Sequence, residues 1–92
     1  MLWWHPDGRR LRGHDWHDVG LHSLGLQRED WLLLLHAGAE AIPATLPPGP
    51  PFTPVVDSSR PDGCPPTARA LPGGTTITLP PRSVLLLRQR PS

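Results

Sequence analysis

The amino-acid sequence predicts an all-β fold, a small antiparallel β-sandwich with a proline-rich loop between two of its strands. Composition is the first reason, because 14 prolines and 9 glycines among 92 residues disfavour helices of normal length. Spacing is the second, because short strand-like segments recur roughly every 8–12 residues with turn residues between them. The apolar fraction of 37% is enough for one small core, so we expect a single domain over residues 1–92. Composition alone also fits a small core that carries a disordered segment.

The N-terminal segment has the pattern of a β-hairpin followed by a loop. Residues 3–5 and 9–11 flank Pro6-Asp7-Gly8, and a proline followed by Asp-Gly is a strong turn signal. Residues 13–25 are mostly polar and show neither a strand period nor a helical period, so we predict a long loop there.

The segment that follows is ambiguous. Residues 27–37 are mostly good helix formers with acidic residues near the start, and Gly38 would end a helix. The four adjacent leucines from Leu32 to Leu35 form no amphipathic stripe, however, and a short apolar run that ends in glycine also suits a strand buried on both faces. Periodicity leaves both interpretations open.

The C-terminal half predicts four further strands. Residues 41–46 suit an edge strand, because Pro43 cannot donate a ladder hydrogen bond, and residues 52–57 form a short extended piece. Residues 75–79 are β-branched and alternating, and residues 83–88 form a second run that both faces could bury. Nine of the 14 prolines lie within residues 43–66, so we predict a mobile inter-strand loop over about residues 47–66.

Charge and targeting patterns exclude several classes of partner. Nine arginines, no lysine and 8 acidic residues give a net charge of +1, and the one tight basic cluster, at residues 9–12, is too short for a nucleic-acid-binding stripe. The longest apolar runs are far shorter than the roughly 18 residues that a membrane span requires. The start of the chain lacks the pattern of a signal peptide, and Cys64 is the only cysteine, so we expect a cytoplasmic protein without nucleic-acid or membrane partners.

Polar clusters give little support for catalysis. Residues 14–22 contain His-x-x-His with neighbouring aspartates, which are ligand types that zinc accepts, but four converging ligands are not evident. The acidic pairs Asp15 with Asp18 and Glu29 with Asp30 lie in polar stretches where nothing would raise a carboxyl pKa for acid catalysis. We therefore expect no catalytic residues, no metal site and no cofactor.

Tryptophans are the most informative side chains. Adjacent Trp3 and Trp4 face opposite sides of a strand, so at most one of them enters the core. The other one, together with Trp16, is a candidate for contact with a neighbouring domain or with a sugar ring, since indoles suit both surfaces. If exposed, all four tryptophans, Trp31 included, could form a platform that stacks on sugar rings.

Motifs over most of the chain, in order, resemble the C-terminal domain of bacterial glycogen debranching enzymes of the isoamylase type, within the α-amylase superfamily. In chain order, the shared motifs are a hairpin, an Asp-Trp pair, a leucine strand, a Thr-Leu-Pro ending, a strand that ends in Val-Asp and an aliphatic last strand. They are Trp3-Trp4-His5-Pro6-Asp7-Gly8, Asp15-Trp16, Leu32 to Leu35, Thr45-Leu46-Pro47, Val55-Val56-Asp57-Ser58 and Pro81-Arg82-Ser83-Val84-Leu85-Leu86-Leu87-Arg88. His36 and Phe52 depart from the family pattern, which has asparagine and tryptophan there.

This resemblance implies a fold and a role. In the family, the catalytic residues lie on an upstream (β/α)8 barrel that cleaves α-1,6 branches of glycogen, and the C-terminal β-sandwich packs on that barrel. The resemblance favours a strand for the leucine run. It implies a non-catalytic domain whose partner is the barrel of the parent chain and which is inactive alone. Alternatives from other classes are a stand-alone glucan-binding module, which would use exposed tryptophans, and a small metal-binding protein.

Overall fold

The structure is a computed structural model that describes residues 2–17, 22–63 and 69–89, and these ranges contain seven β-strands and no α-helix. The strands are β1 Leu2–Trp4, β2 Ser23–Arg28, β3 Trp31–His36, β4 Ile42–Thr45, β5 Phe52–Asp57, β6 Thr76–Leu79 and β7 Ser83–Gln89. A short 3-10 helix spans Gly13–His17. The predicted all-β fold is confirmed.

The strands form two antiparallel sheets. Five strands pair in the order β1-β2-β3-β7-β5, and β4 pairs with β6 in a separate sheet. Side chains from both sheets join one buried cluster: Leu32, Leu34, Ala44, Leu46, Phe52, Leu79 and Leu87. The two sheets are therefore the layers of a small sandwich, and we call the cluster side of the large sheet its inner face.

The leucine run forms β3, a strand in the centre of the large sheet. Leu32 lies opposite Leu87, and Leu34 lies opposite Leu85, on the inner face. Leu32 and Leu34 are buried, whereas the alternating Leu33 and Leu35 are half-buried on the other face. The run is uninterrupted because both faces of this strand are apolar.

β2 is a strand that the sequence pattern missed, since the loop prediction over residues 13–25 includes its first half. Its inner positions are Ser23, Gly25 and Gln27, so the buried side of the strand does not read as apolar. A Cβ on Gly25 would lie 3.2 Å from Trp4 Cβ and 3.1 Å from Leu34 Cδ2, so the missing side chain makes room for both neighbours.

The hairpin at the N-terminus is present, with a short second arm. The Gly8 N–H donates to the carbonyl of His5 over 3.0 Å, and Gly8 has a φ of 88°, which glycine adopts without strain. Arg10 forms a single β-bridge with Trp4, so residues after the turn cover the outer edge of β1.

The extended piece predicted over residues 52–57 is confirmed as β5, and this strand interrupts the loop predicted over about residues 47–66. Phe52 is fully buried, and Pro54 is also buried within the strand. β5 is the last strand of its sheet, and its register shifts between Pro54 and Val56, so the ladder accommodates a residue without an N–H. Cys64, Pro65 and Pro66 lie outside the described residues.

The small sheet has one apolar face and one polar face. Ile42, Ala44, Ile77 and Leu79 point to the core, while Pro43, Thr45, Thr76 and Thr78 alternate with them on the far side. The Thr45 and Thr76 hydroxyls are 3.0 Å apart on that side. This pattern is typical of a sheet with one solvated face.

Candidate docking surface

The side of the large sheet that faces away from the core is apolar. Cross-strand register places nine large apolar side chains on it, here called the outer apolar face: Trp3, Leu24, Leu26, Trp31, Leu33, Leu35, Val56, Val84 and Leu86. None of the nine is fully buried. Trp31, Val56 and Val84 are 38%, 43% and 36% exposed.

These side chains are ordered in rows across the strands. The central row crosses all five strands as Trp3, Leu26, Leu33, Leu86 and Val56. Leu24, Leu35 and Val84 form the next row, toward the end of the sheet where β7 begins. From strand spacing and rise per residue, the face covers roughly 400 Å². Such an area equals the largest apolar patch of a typical monomer, which is often functional.

The third row, at the end of the sheet near the β2–β3 turn, is polar and aromatic. It crosses the sheet as Arg28, Trp31, Arg88 and Thr53. The Arg88 guanidinium lies 5.4 Å from the Trp31 ring centroid, and its Nε donates to Asp30 Oδ2 over 2.9 Å. That hydrogen bond holds the pKa of the Asp30 carboxyl below its ordinary value.

Of the four tryptophans singled out from the sequence, Trp3 and Trp31 lie on the outer apolar face. Trp4 packs against the core, and its Nε1 donates to Gln27 Oε1 over 2.9 Å. The Gln27 amide in turn donates to Gln89 Oε1 over 2.9 Å, so a chain of hydrogen bonds closes this end of the core. Trp16 belongs to the 3-10 helix, but its side chain lies outside what the structure describes.

Asp15 is a buried carboxylate with several hydrogen-bond donors. It is 4% exposed, and it accepts hydrogen bonds from Arg9 Nη1 over 2.8 Å and Nη2 over 3.0 Å. The Arg12 backbone N–H adds a third bond of 2.7 Å. The Arg9 hydrogen bonds, followed by that of Arg12, hold the pKa of Asp15 far below its usual range. This carboxylate stays ionised and anchors the 3-10 helix to the hairpin.

Ser23 and His36 form a buried pair that sequence reasoning missed. Ser23 Oγ lies 2.5 Å from His36 Nδ1, and His36 Nε2 lies 2.5 Å from the carbonyl oxygen of Glu40. Because that carbonyl can only accept, Nε2 carries a proton and donates it. Ser23 is 6% exposed and His36 is 5% exposed, so a substrate could not reach the hydroxyl. The pair ties the end of β3 to β2 and to the following loop.

A cleft of about 470 Å³ lies between the turn after β5 and the ends of β6 and β7. Asp57 Oδ1 there accepts from the backbone N–H of Ser59 over 3.0 Å and from its Oγ over 2.6 Å. The Ser83 hydroxyl donates to the Pro80 carbonyl over 2.6 Å. These polar groups are used within the fold, so the cleft offers no nucleophile–base pair.

Metal and membrane features can be stated only for the described parts of the chain. Residues 2–17, 22–63 and 69–89 contain no group of three His, Cys, Asp or Glu side chains that could hold a metal ion. Asp18, a member of the histidine and aspartate cluster, falls outside those ranges. Within the same ranges, no helix has the length and apolarity that a membrane crossing needs.

No protein-family model and no curated protein matches this chain.

Proposed function

We propose that this chain is the non-catalytic C-terminal domain of a glycogen-debranching α-1,6-glucosidase of the isoamylase type, a cytoplasmic glycoside hydrolase of glycogen catabolism. Its role is to pack on the catalytic (β/α)8 barrel of the same parent chain and to stabilise it. The outer apolar face is the observation that carries this proposal, because a sheet with both faces apolar is normally covered on both sides.

The contrast between the two sheets gives the orientation of docking. The far side of the small sheet carries three threonines and Pro43, which tolerate exposure to solvent. The outer apolar face carries tryptophan, leucine and valine. Burial of apolar area drives association, so the barrel would meet the large sheet. Trp3, which the sequence predicted as a candidate for contact with a neighbouring domain, lies on this docking surface.

The size of the face favours a domain of the same chain over a second copy. Two copies meeting through faces of roughly 400 Å² would bury about 800 Å² in total, less than the 1,200–2,000 Å² of stable complexes. Domain interfaces within one chain begin near 600 Å², and the covalent link supplies a high effective concentration.

Binding between this chain and the catalytic barrel, produced as separate polypeptides and titrated to millimolar concentration so that a weak contact is detected, tests the proposal. Val84→Glu places a charge at an exposed position of the outer apolar face, and we expect it to weaken binding at least tenfold. Thr78→Glu is the matched control, because Thr78 is also exposed on a strand but lies on the polar side of the small sheet. Equal affinity for wild type and Val84→Glu would contradict the proposed docking surface.

Activity provides the second test. Because the resemblance places the catalytic residues on the upstream barrel, we expect the chain alone to release no linear glucans from glycogen. Release of linear chains by this chain, at a rate above that of a heat-denatured sample, would overturn the non-catalytic role.

The exposed ring of Trp31 favours one alternative, a stand-alone glucan-binding module. Titration with maltoheptaose, followed by tryptophan fluorescence and amide chemical shifts, distinguishes the two. The docking role predicts no saturable change at millimolar sugar. Saturation that Trp31→Ala abolishes would favour the binding module.

A further inference from the structure

We propose that the third row on this side of the large sheet, which contains Arg28, Trp31 and Arg88, binds an acidic side chain of the partner domain. This inference rests on the proposed function, because it specifies the chemistry of the partner at one end of the docking surface. The apolar rows supply contact area, and the third row fixes the register in which the two domains meet.

Trp31 and Arg88 are arranged before any partner binds. The ring of Trp31 is 38% exposed, with the Arg88 guanidinium 5.4 Å from its centroid. The hydrogen bond from Arg88 Nε to Asp30 limits the motion of that guanidinium. Tryptophan and arginine are the side chains most enriched at energetic centres of interfaces, and a preordered pair loses less entropy on binding.

Arg28 differs from Arg88 in its partners. It is exposed and lies directly opposite Trp31 in the β2–β3 ladder. Among the described residues, no carboxylate lies within 4.0 Å of its guanidinium, whereas Arg88 has Asp30. The row thus contains one paired and one unpaired cation.

Because Arg28 has no counter-ion among the described residues, docking requires one from the partner domain. When the apolar rows are covered, Arg28 loses water at the border of the contact, and a desolvated cation without a counter-ion is costly. A carboxylate opposite Arg28 offsets that cost and can accept two parallel N–H bonds from the guanidinium.

Binding of separately produced chain and catalytic barrel, measured by calorimetry at 0.05 M and 0.5 M NaCl, tests the inference. Arg28→Gln should weaken binding by about tenfold, as loss of a charge pair at an interface does, and should flatten the salt dependence. Arg28→Lys, which keeps the charge, should recover most of the salt dependence. Arg60→Gln is the control, since Arg60 is exposed in the turn after β5.

The outcomes separate this inference from the proposed function. If Arg28→Gln binds with wild-type affinity and salt dependence while Val84→Glu does not bind, the proposal of an acidic side chain on the partner is wrong. The proposed docking surface is then still supported. If Val84→Glu also binds like wild type, both are wrong. If Arg60→Gln weakens binding to the barrel as much as Arg28→Gln does, the effect is one of general charge, and the specific role of the row is wrong.

Discussion

At the residue scale, the most constrained position in the described chain is a glycine between β5 and β6. A Cβ on Gly73 would lie 2.6 Å from both the backbone nitrogen and the backbone oxygen of Gly49, and 3.0 Å from the oxygen of Pro47. These are backbone atoms, so no side-chain rotation can relieve the contact. The loop before β5 and the loop before β6 can approach this closely because Gly73 has no side chain.

Gly73→Ala is therefore expected to destabilise the fold by about 2 kcal/mol or more, since the backbone must shift to admit a methyl group. Gly13→Ala is the control, because a Cβ there meets no atom within 4 Å. Urea unfolding of both variants measures the difference in free energy of unfolding. Similar values for the two variants would show that the loops separate without cost.

Asp15 gives a prediction about acid stability. Its folded pKa is lower than its unfolded pKa, which is near 3.8, so the native state binds fewer protons. The stabilisation is complete above the unfolded pKa and is lost as the pH falls through and below it. We expect the melting temperature of the wild type to fall between about pH 5 and pH 2.

Asp15→Asn removes the titrating group and should reduce this pH dependence, at the cost of a lower melting temperature at pH 7. Glu40→Gln is the control, because it removes an exposed carboxylate that forms no ion pair with Asp15. A wild-type melting temperature that is constant from pH 5 to pH 2 would contradict the assigned role of Asp15.

At the scale of the element, β3 shows how one strand serves two surfaces. Its buried positions Leu32 and Leu34 contribute to the sandwich core, and its half-buried positions Leu33 and Leu35 contribute to the outer apolar face. Stability and docking are therefore assigned to alternate residues of the same strand.

The two faces predict different effects of truncation. Leu34→Ala should cost about 2–5 kcal/mol of unfolding free energy, because it leaves a cavity in the core. Leu33→Ala should cost roughly 1 kcal/mol or less in the isolated chain but should weaken binding to the barrel, because its contacts are partly with the absent partner. Chemical unfolding and the binding assay measure the two effects. Equal stability losses would contradict the division of β3 into two faces.

At the scale of the whole molecule, the outer apolar face sets the behaviour of the chain in isolation. A patch of roughly 400 Å² with exposed Trp31, Val56 and Val84 should bind a hydrophobic dye such as ANS in the native state. Val84→Glu should reduce the dye signal, and Thr78→Glu should leave it unchanged. If wild type binds no dye under native conditions, the face is already covered within the isolated chain.

Local sequence signals were enough to predict the all-β class, the N-terminal turn and strands at β1, β4, β5, β6 and β7. Local signals were sufficient there, because prolines, Asp-Gly and β-branched alternation act within a few residues of chain. The sequence also pointed to Trp3 and Trp4 as alternatives, since adjacent strand residues must face opposite ways.

The other features of the fold depend on contacts between strands that are distant in the sequence. Residues 27–37 have helix propensity and a leucine run without a period. Only the pairing of β3 with β2 and β7 makes them the end of β2, a turn and β3. Serine, glycine and glutamine on the inner side of β2 are acceptable because Trp4 and Leu34 fill the space over Gly25. The outer apolar face exists only when five strands stand in register, because it joins residues from the two ends of the chain. Such contacts depend on sheet pairing at long sequence separation, which no local pattern encodes.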